Sequence, residues 1–177
     1  IFYNNNNQFN TMTKIVSINI YELHPKANRF LSKIGIGLYH SGVVIDDSEW
    51  TFGPFINNET NENGIHSISP GLFNEFHKTT LIAGQIDINN FDLACIINKF
   101  RNQFLSSEYN LITNNCNDFT KVFCKEICNY DIPNWINRTA KIGSLFYCPS
   151  CCKTTDISDI NYNNLLSESP PNSPVIL

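Results

Sequence analysis

The sequence predicts an α+β domain in which an antiparallel sheet, or a small barrel, is packed with helices. Its first half alternates apolar and polar residues in short runs broken by glycine, proline and aspartate. Its second half spaces apolar residues at helical intervals over 89–105 and again over 116–128. With 42% of 177 residues hydrophobic, the chain can bury the core of one globular domain.

Each element follows from its local pattern. Ile15 to Tyr21 alternates and reads as a strand, and Asn28 to Lys33 suits a turn or one short helix. Gly35 to Ile45 reads as two strands bent at the glycines. Asp46-Asp47-Ser48 then turns the chain into a strand at Glu49 to Gly53, which completes a meander. A polar loop over Asn57 to Gly64 precedes a short strand at Ile65 to Ile68, and Lys78 to Ile86 is a further strand. In the helix over Asn89 to Leu105, Leu93, Ile97, Phe100 and Phe104 form one apolar row. Phe91, Ala94, Cys95 and Asn98 form a second, and Asn89 or Asn90 is the cap. The helix over Cys116 to Cys128 presents Phe119, Val122, Phe123, Glu126 and Ile127 on one face. Pro133 opens a third helix through Trp135, Ile136, Ala140 and Ile142, which Gly143 ends. Residues 1–12 and 151–177 are expected to be disordered flanks of a domain over 13–150, the second because it is polar and holds Ser169-Pro170-Pro171.

Composition narrows the function. A net charge of −4 without a basic run argues against nucleic acid as a partner. No apolar run approaches the roughly 20 residues of a membrane span, and the Asn-rich start is unlike a signal peptide. Seven cysteines, an odd number in a chain of this size, favour reduced thiols in the cytoplasm, with the nucleus as a second compartment. Cys148 and Cys151 form one CxxC, but Cys124 and Cys128 lack the spacing of a zinc ribbon. No metal and no cofactor is therefore expected.

Cys116 stands where the apolar Leu111-Ile112 run meets a helix start. Unpaired backbone N–H groups and the helix dipole there stabilise a thiolate and bind an oxyanion. Asn115 and Asn117 add side-chain donors and are candidate substrate or oxyanion contacts. The local pattern leaves two readings open, a small residue buried under a helix or a nucleophile. The flanking asparagines argue against burial. Four histidines compete for the role of base. His24, His66 and His77 lie in polar turns or beside loops, whereas His40 sits on a strand that holds geometry better.

Four separated blocks resemble one family. They are Leu38-Tyr39-His40-Ser41-Gly42-Val43, Glu49-Trp50-Thr51-Phe52-Gly53, Asn115-Cys116-Asn117 with Phe119, and Ile132 to Arg138. Over residues 14–148 they resemble, in order, the PPPDE peptidases, also called desumoylating isopeptidases, and most closely their second subgroup. The resemblance implies a circularly permuted papain-like fold, with histidine preceding cysteine. It also implies Cys116 as nucleophile, His40 as general base, SUMO or ubiquitin-like conjugates as substrates, and a homodimer. Two departures stand out: Asp118 occupies a position where the family often has histidine, and the loop from Asn57 to Asn63 is expanded. The same pair of residues would also serve a protein S-acyl thioesterase. A chain that binds ubiquitin-like modifiers without cleaving them is the non-enzymatic alternative.

Overall fold

The computed structural model describes residues 11–54 and 63–146. Strand β1 (Met12–Glu22) lies inside a five-stranded antiparallel sheet and pairs with both β2 (Tyr39–Ile45) and β5 (His77–Ile88). Strands β3 (Ser48–Phe52) and β4 (Ile65–Ile68) extend the sheet to the order β4-β3-β2-β1-β5. One face of β1 buries Val16, Ile18 and Ile20 completely. Helices α2 (Asn90–Arg101) and α3 (Cys116–Cys128) supply the phenylalanines that share this core. Rings of Phe100, Phe119 and Phe123 meet with centroids 4.9 to 6.0 Å apart, mostly edge to face. Phe52 and Phe104 join them at 5.1 Å. Each buried aromatic of this size stabilises the fold by roughly 1.5–3 kcal/mol relative to exposure.

The α+β expectation holds, and several element limits differ for identifiable reasons. Residues 35–45 hold one strand, β2, rather than two, and its lead-in over 35–38 is held by a side chain. Asn28, on helix α1 (Pro25–Leu31), donates to the carbonyl of Leu38 at 2.9 Å and accepts from its N–H at 2.9 Å. The Leu38 N–H is thereby satisfied on the Asn28 amide, while its carbonyl also accepts from the Leu23 N–H at 3.1 Å, just past the end of β1. Gly35 there has φ 76, a left-handed turn that glycine adopts without strain.

Pro133 does not open a helix. Residues 133–136 form a turn closed by the Ile136 N–H on the Pro133 carbonyl at 3.1 Å, and helix α4 runs over Arg138–Phe146 with Gly143 inside it. On α2 the core takes Leu93, Ile97 and Phe100, whereas Phe91 and Cys95 face solvent. Phe104 is buried but lies beyond the helix end. On α3 the buried stripe includes Thr120 and Cys124, and Val122 points outward. The four described cysteines, Cys95, Cys116, Cys124 and Cys128, are unpaired. The flanks 1–10 and 147–177, including the CxxC, and most of the 57–63 loop lie outside the described residues. The chain divides into two compact units, Ile1–Leu145 and Phe146–Leu177. Every strand and helix above lies in the first, apart from the last residue of α4.

Candidate active site

Helix α3 begins at Cys116, held by a complete capping box. The Asn115 side chain accepts from the N–H of Asn117 at 2.8 Å and of Asp118 at 3.2 Å, and Asp118 accepts in return from the Asn115 N–H at 3.1 Å. The cap leaves out the N–H of Cys116 itself. Side chains then stitch this first turn to β2. Asn117 donates to the Tyr39 carbonyl at 3.0 Å, and the Ser41 hydroxyl meets both Asn117 at 2.7 Å and Thr120 at 2.9 Å. His40 lies between the two stitched residues.

The register explains how the thiol reaches the strand. β2 pairs with β3 only from Val43–Trp50 to Ile45–Ser48. Beyond Val43 the two strands separate, and the freed edge of Ser41 takes other partners. Its N–H donates to the Cys116 thiol, and its carbonyl accepts from the Thr51 hydroxyl at 3.3 Å. The Tyr109 hydroxyl also donates to the thiol, and the Tyr109 ring packs on Phe52 at 5.1 Å.

Ser41 and His40 alternate across the sheet. Ser41 faces α3, and His40 shares the opposite face with its cross-strand neighbour Tyr21, ring centroids 6.1 Å apart. That face holds a buried polar layer. Glu49, fully buried, accepts from the Tyr21 hydroxyl at 2.7 Å and from Asn19 at 2.8 Å. His40 Nε2 lies 3.0 Å from the Thr51 hydroxyl oxygen. The His40 ring thus bonds Thr51, and the Cys116 sulfur bonds the Ser41 N–H of the same strand.

Burial dominates the electrostatics of both groups. It pushes the Cys116 thiol up to about 11, against the lowering effect of the N–H groups of Ser41 and Asn117 and of the Tyr109 hydroxyl. Asp118 raises it further, as the smallest of these influences. Burial pulls the His40 imidazole down to about 4, and the negative charge of Glu49 only partly offsets this. The resting pair is therefore a neutral thiol and a neutral imidazole near pH 7.

Comparison with known proteins matches residues 14–156 to the PPPDE putative peptidase domain. The chain belongs to the PPPDE family. PPPDE peptidases are papain-like, in agreement with the mixed architecture above. A DeSI-like protein of Arabidopsis thaliana is 30% identical over 146 residues, covering 81% of this chain and 63% of that protein. A protein of Caenorhabditis elegans named desumoylating isopeptidase 1 homolog is 29% identical, covering 77% of this chain and 42% of its own length. The DeSI-like protein sdu1 of Schizosaccharomyces pombe is 27% identical, covering 74% and 66%. The chain thus spans between about two-fifths and two-thirds of the length of these curated relatives.

Within this PPPDE domain the sequence-derived candidates occupy distinct places. The expectation that polar neighbours keep Cys116 out of the interior is corrected: Asn115, Cys116 and Asn117 are all at least 95% buried. The two asparagines can be buried because every hydrogen of their side-chain amides has a partner. Asn115 donates to the Leu111 carbonyl and Asn137, at 3.0 and 3.1 Å, and Asn117 to the carbonyls of Tyr39 and Ile136, at 3.0 and 3.4 Å. Neither side chain has a hydrogen left for a substrate oxyanion. Asp118 is likewise engaged, by the cap and by Asn137 at 2.7 Å. Among the other histidines, His24 caps α1 with its Nδ1, 3.3 Å from the Ala27 N–H. His66 lies on β4, and His77 is exposed on β5 against Thr80 at 2.9 Å.

Sequence reasoning missed Tyr109, Glu49 and Thr51. Tyr109 had a local signal. The Asn110 and Asn114 backbones bond to each other at 2.9 and 3.0 Å, closing an Asn-rich turn that returns the chain to Cys116. Glu49 and Thr51 alternate on a strand with apolar Trp50 and Phe52, which marks them for the other face of the sheet. Their partners depend on the β2–β3 register.

Proposed function

We propose that this PPPDE domain is a cysteine isopeptidase that releases a SUMO- or ubiquitin-like modifier from a target lysine, with Cys116 as nucleophile and His40 as general base. The observation that carries the reading is the stitching of the α3 first turn to Tyr39 and Ser41, which brackets His40 and brings the Ser41 N–H to the thiol. Names of relatives that include desumoylating isopeptidase support the substrate class.

The neutral resting pair sets the order of events. Substrate binding excludes water and brings the carbonyl of the modifier's C-terminal glycine to the sulfur. The Cys116 proton passes to His40 as the sulfur attacks, so charge develops only in the reacting complex. Because the amides of Asn115 and Asn117 are engaged, the oxyanion falls to the Cys116 N–H, while the single hydrogen of the Tyr109 hydroxyl is directed at the sulfur. The tetrahedral intermediate collapses by breaking the C–N bond, and His40 returns the proton to the departing lysine amine. His40 then deprotonates water, which attacks the thioester, and the thiol leaves protonated. A cavity of about 280 Å³ lies beside Tyr39, the residue before His40, lined by Gly35, Gly37, Lys78 and Trp135 among others.

A panel of SUMO and ubiquitin isopeptide conjugates and an acyl-thioester peptide tests this. Cleavage of an isopeptide conjugate should be lost in Cys116→Ala and fall by roughly 10²–10⁴ in His40→Ala. Turnover of the acyl thioester alone, or a Cys116→Ser protein as fast as the native chain, would overturn the reading.

A further inference from the structure

We propose that Thr51 is a positioning residue that fixes the tautomer of His40, making Nδ1 the nitrogen that takes the thiol proton. The proposal rests on the reading of His40 as the base and goes beyond it by naming the group that orients that base.

A threonine hydroxyl has one hydrogen to donate and lone pairs to accept with. Thr51 lies between two neighbours, the Ser41 carbonyl at 3.3 Å and His40 Nε2 at 3.0 Å. The carbonyl accepts and cannot donate, so the Thr51 hydrogen points to Ser41. The remaining contact is then satisfied by His40 donating Nε2–H to the Thr51 oxygen. A neutral imidazole with its hydrogen on Nε2 has its lone pair on Nδ1. The alternative, Thr51 donating to Nε2, would leave the Ser41 carbonyl without that partner.

Position supports the assignment. Thr51 is 8% exposed and sits on β3 just past the last β2–β3 pair, Val43–Trp50, where the strands part. Its hydroxyl bridges that gap to the same Ser41 whose N–H reaches the Cys116 thiol. One strand residue thus links the anchor of the base to the anchor of the nucleophile. When Nδ1 takes the thiol proton, the imidazolium retains Nε2–H on Thr51 and shares its sheet face with the buried Glu49 carboxylate. No further proton moves, since the proton on Nδ1 is the one later delivered to the leaving amine.

The test uses the full chain, labelled with ¹⁵N, and long-range ¹H–¹⁵N correlation of the His40 ring, assigned by comparison with His40→Gln. In the native chain Nε2 should appear protonated and Nδ1 unprotonated. Thr51→Val, which keeps the shape and removes the hydroxyl, should shift the ring to a mixture of tautomers. It should also lower kcat on an isopeptide conjugate roughly tenfold or more while leaving KM within about twofold. Thr51→Ser should restore both readouts. An Nδ1-protonated ring in the native chain overturns the proposal whether or not any variant folds. So does a Thr51→Val protein with native tautomer and native kcat. A chain inactive on every substrate, yet with the expected tautomer, would instead refute the isopeptidase reading and leave the Thr51–His40 pairing standing.

Discussion

The resting state of Cys116 and His40 is set by burial, and this has a measurable consequence for stability. The His40 ring takes up a proton near 6.5 in the unfolded chain and only near 4 in the folded one. The unfolded state therefore binds the extra proton first, so stability is intact above about pH 6.5 and falls as the pH drops toward 4. The thiol behaves in the opposite limb. Folded Cys116 stays protonated up to about 11 while the unfolded thiol ionises near 9.0, so stability is lost as the pH rises between them. Urea unfolding across pH should show both limbs, each on the order of 1–3 kcal/mol. His40→Gln should shrink the acid limb and Cys116→Ala the alkaline one, part of which remains because burial also pushes up Cys124, Cys128 and Tyr21. An unchanged acid limb in His40→Gln would mean that the ring titrates normally in the folded chain.

At the scale of elements, the α3 start is where local signals and long-range contacts meet. Asn115→Ala removes the cap acceptor for two N–H groups and strands the partners of its amide. It should cost about 2 kcal/mol in thermal or urea unfolding. Asn115→Asp keeps the acceptor but sets a carboxylate oxygen against the Leu111 carbonyl and Asn137 Oδ1 in a buried site, so it should cost at least as much. The helix limits were legible in the sequence because they rest on neighbours: Asn115 with Asp118 at one end, Asn129 in a left-handed turn at the other. The start of β2 was not legible, because the amide that holds both backbone groups of Leu38 comes from Asn28, ten residues away. Local periodicity is blind to such a partner. The site divides in the same way. His40 and Cys116 stood out by residue type and placement, whereas Thr51 has meaning only once the β2–β3 register is known. The engagement of Asn115 and Asn117 was hidden too, since it involves Tyr39, Ile136 and Asn137 from distant segments.

For the molecule as a whole, one aromatic cluster joins the sheet to α2 and α3 and so holds the site's scaffold in place. Phe100→Ala should destabilise the fold by about 3–5 kcal/mol, because its ring is fully buried against Phe104, Phe119 and Phe123. Phe91→Ala, on the exposed side of the same helix, should change stability by less than about 0.5 kcal/mol. Equal effects in calorimetry would mean that α2 is rotated from the arrangement described. The stitch between Ser41 and Asn117 spans 76 residues of chain, which gives the site a place in time as well as in space. Contacts this distant form only after the intervening chain has closed its loop. A ribosome that has synthesised β2 has delivered the proposed base while its nucleophile is still unmade. The strand edge at Ser41 then waits, unpartnered, for α3. The proposed site is therefore complete only once translation has passed residue 116 and the helix has docked, so a nascent or truncated chain holds the histidine without its cysteine.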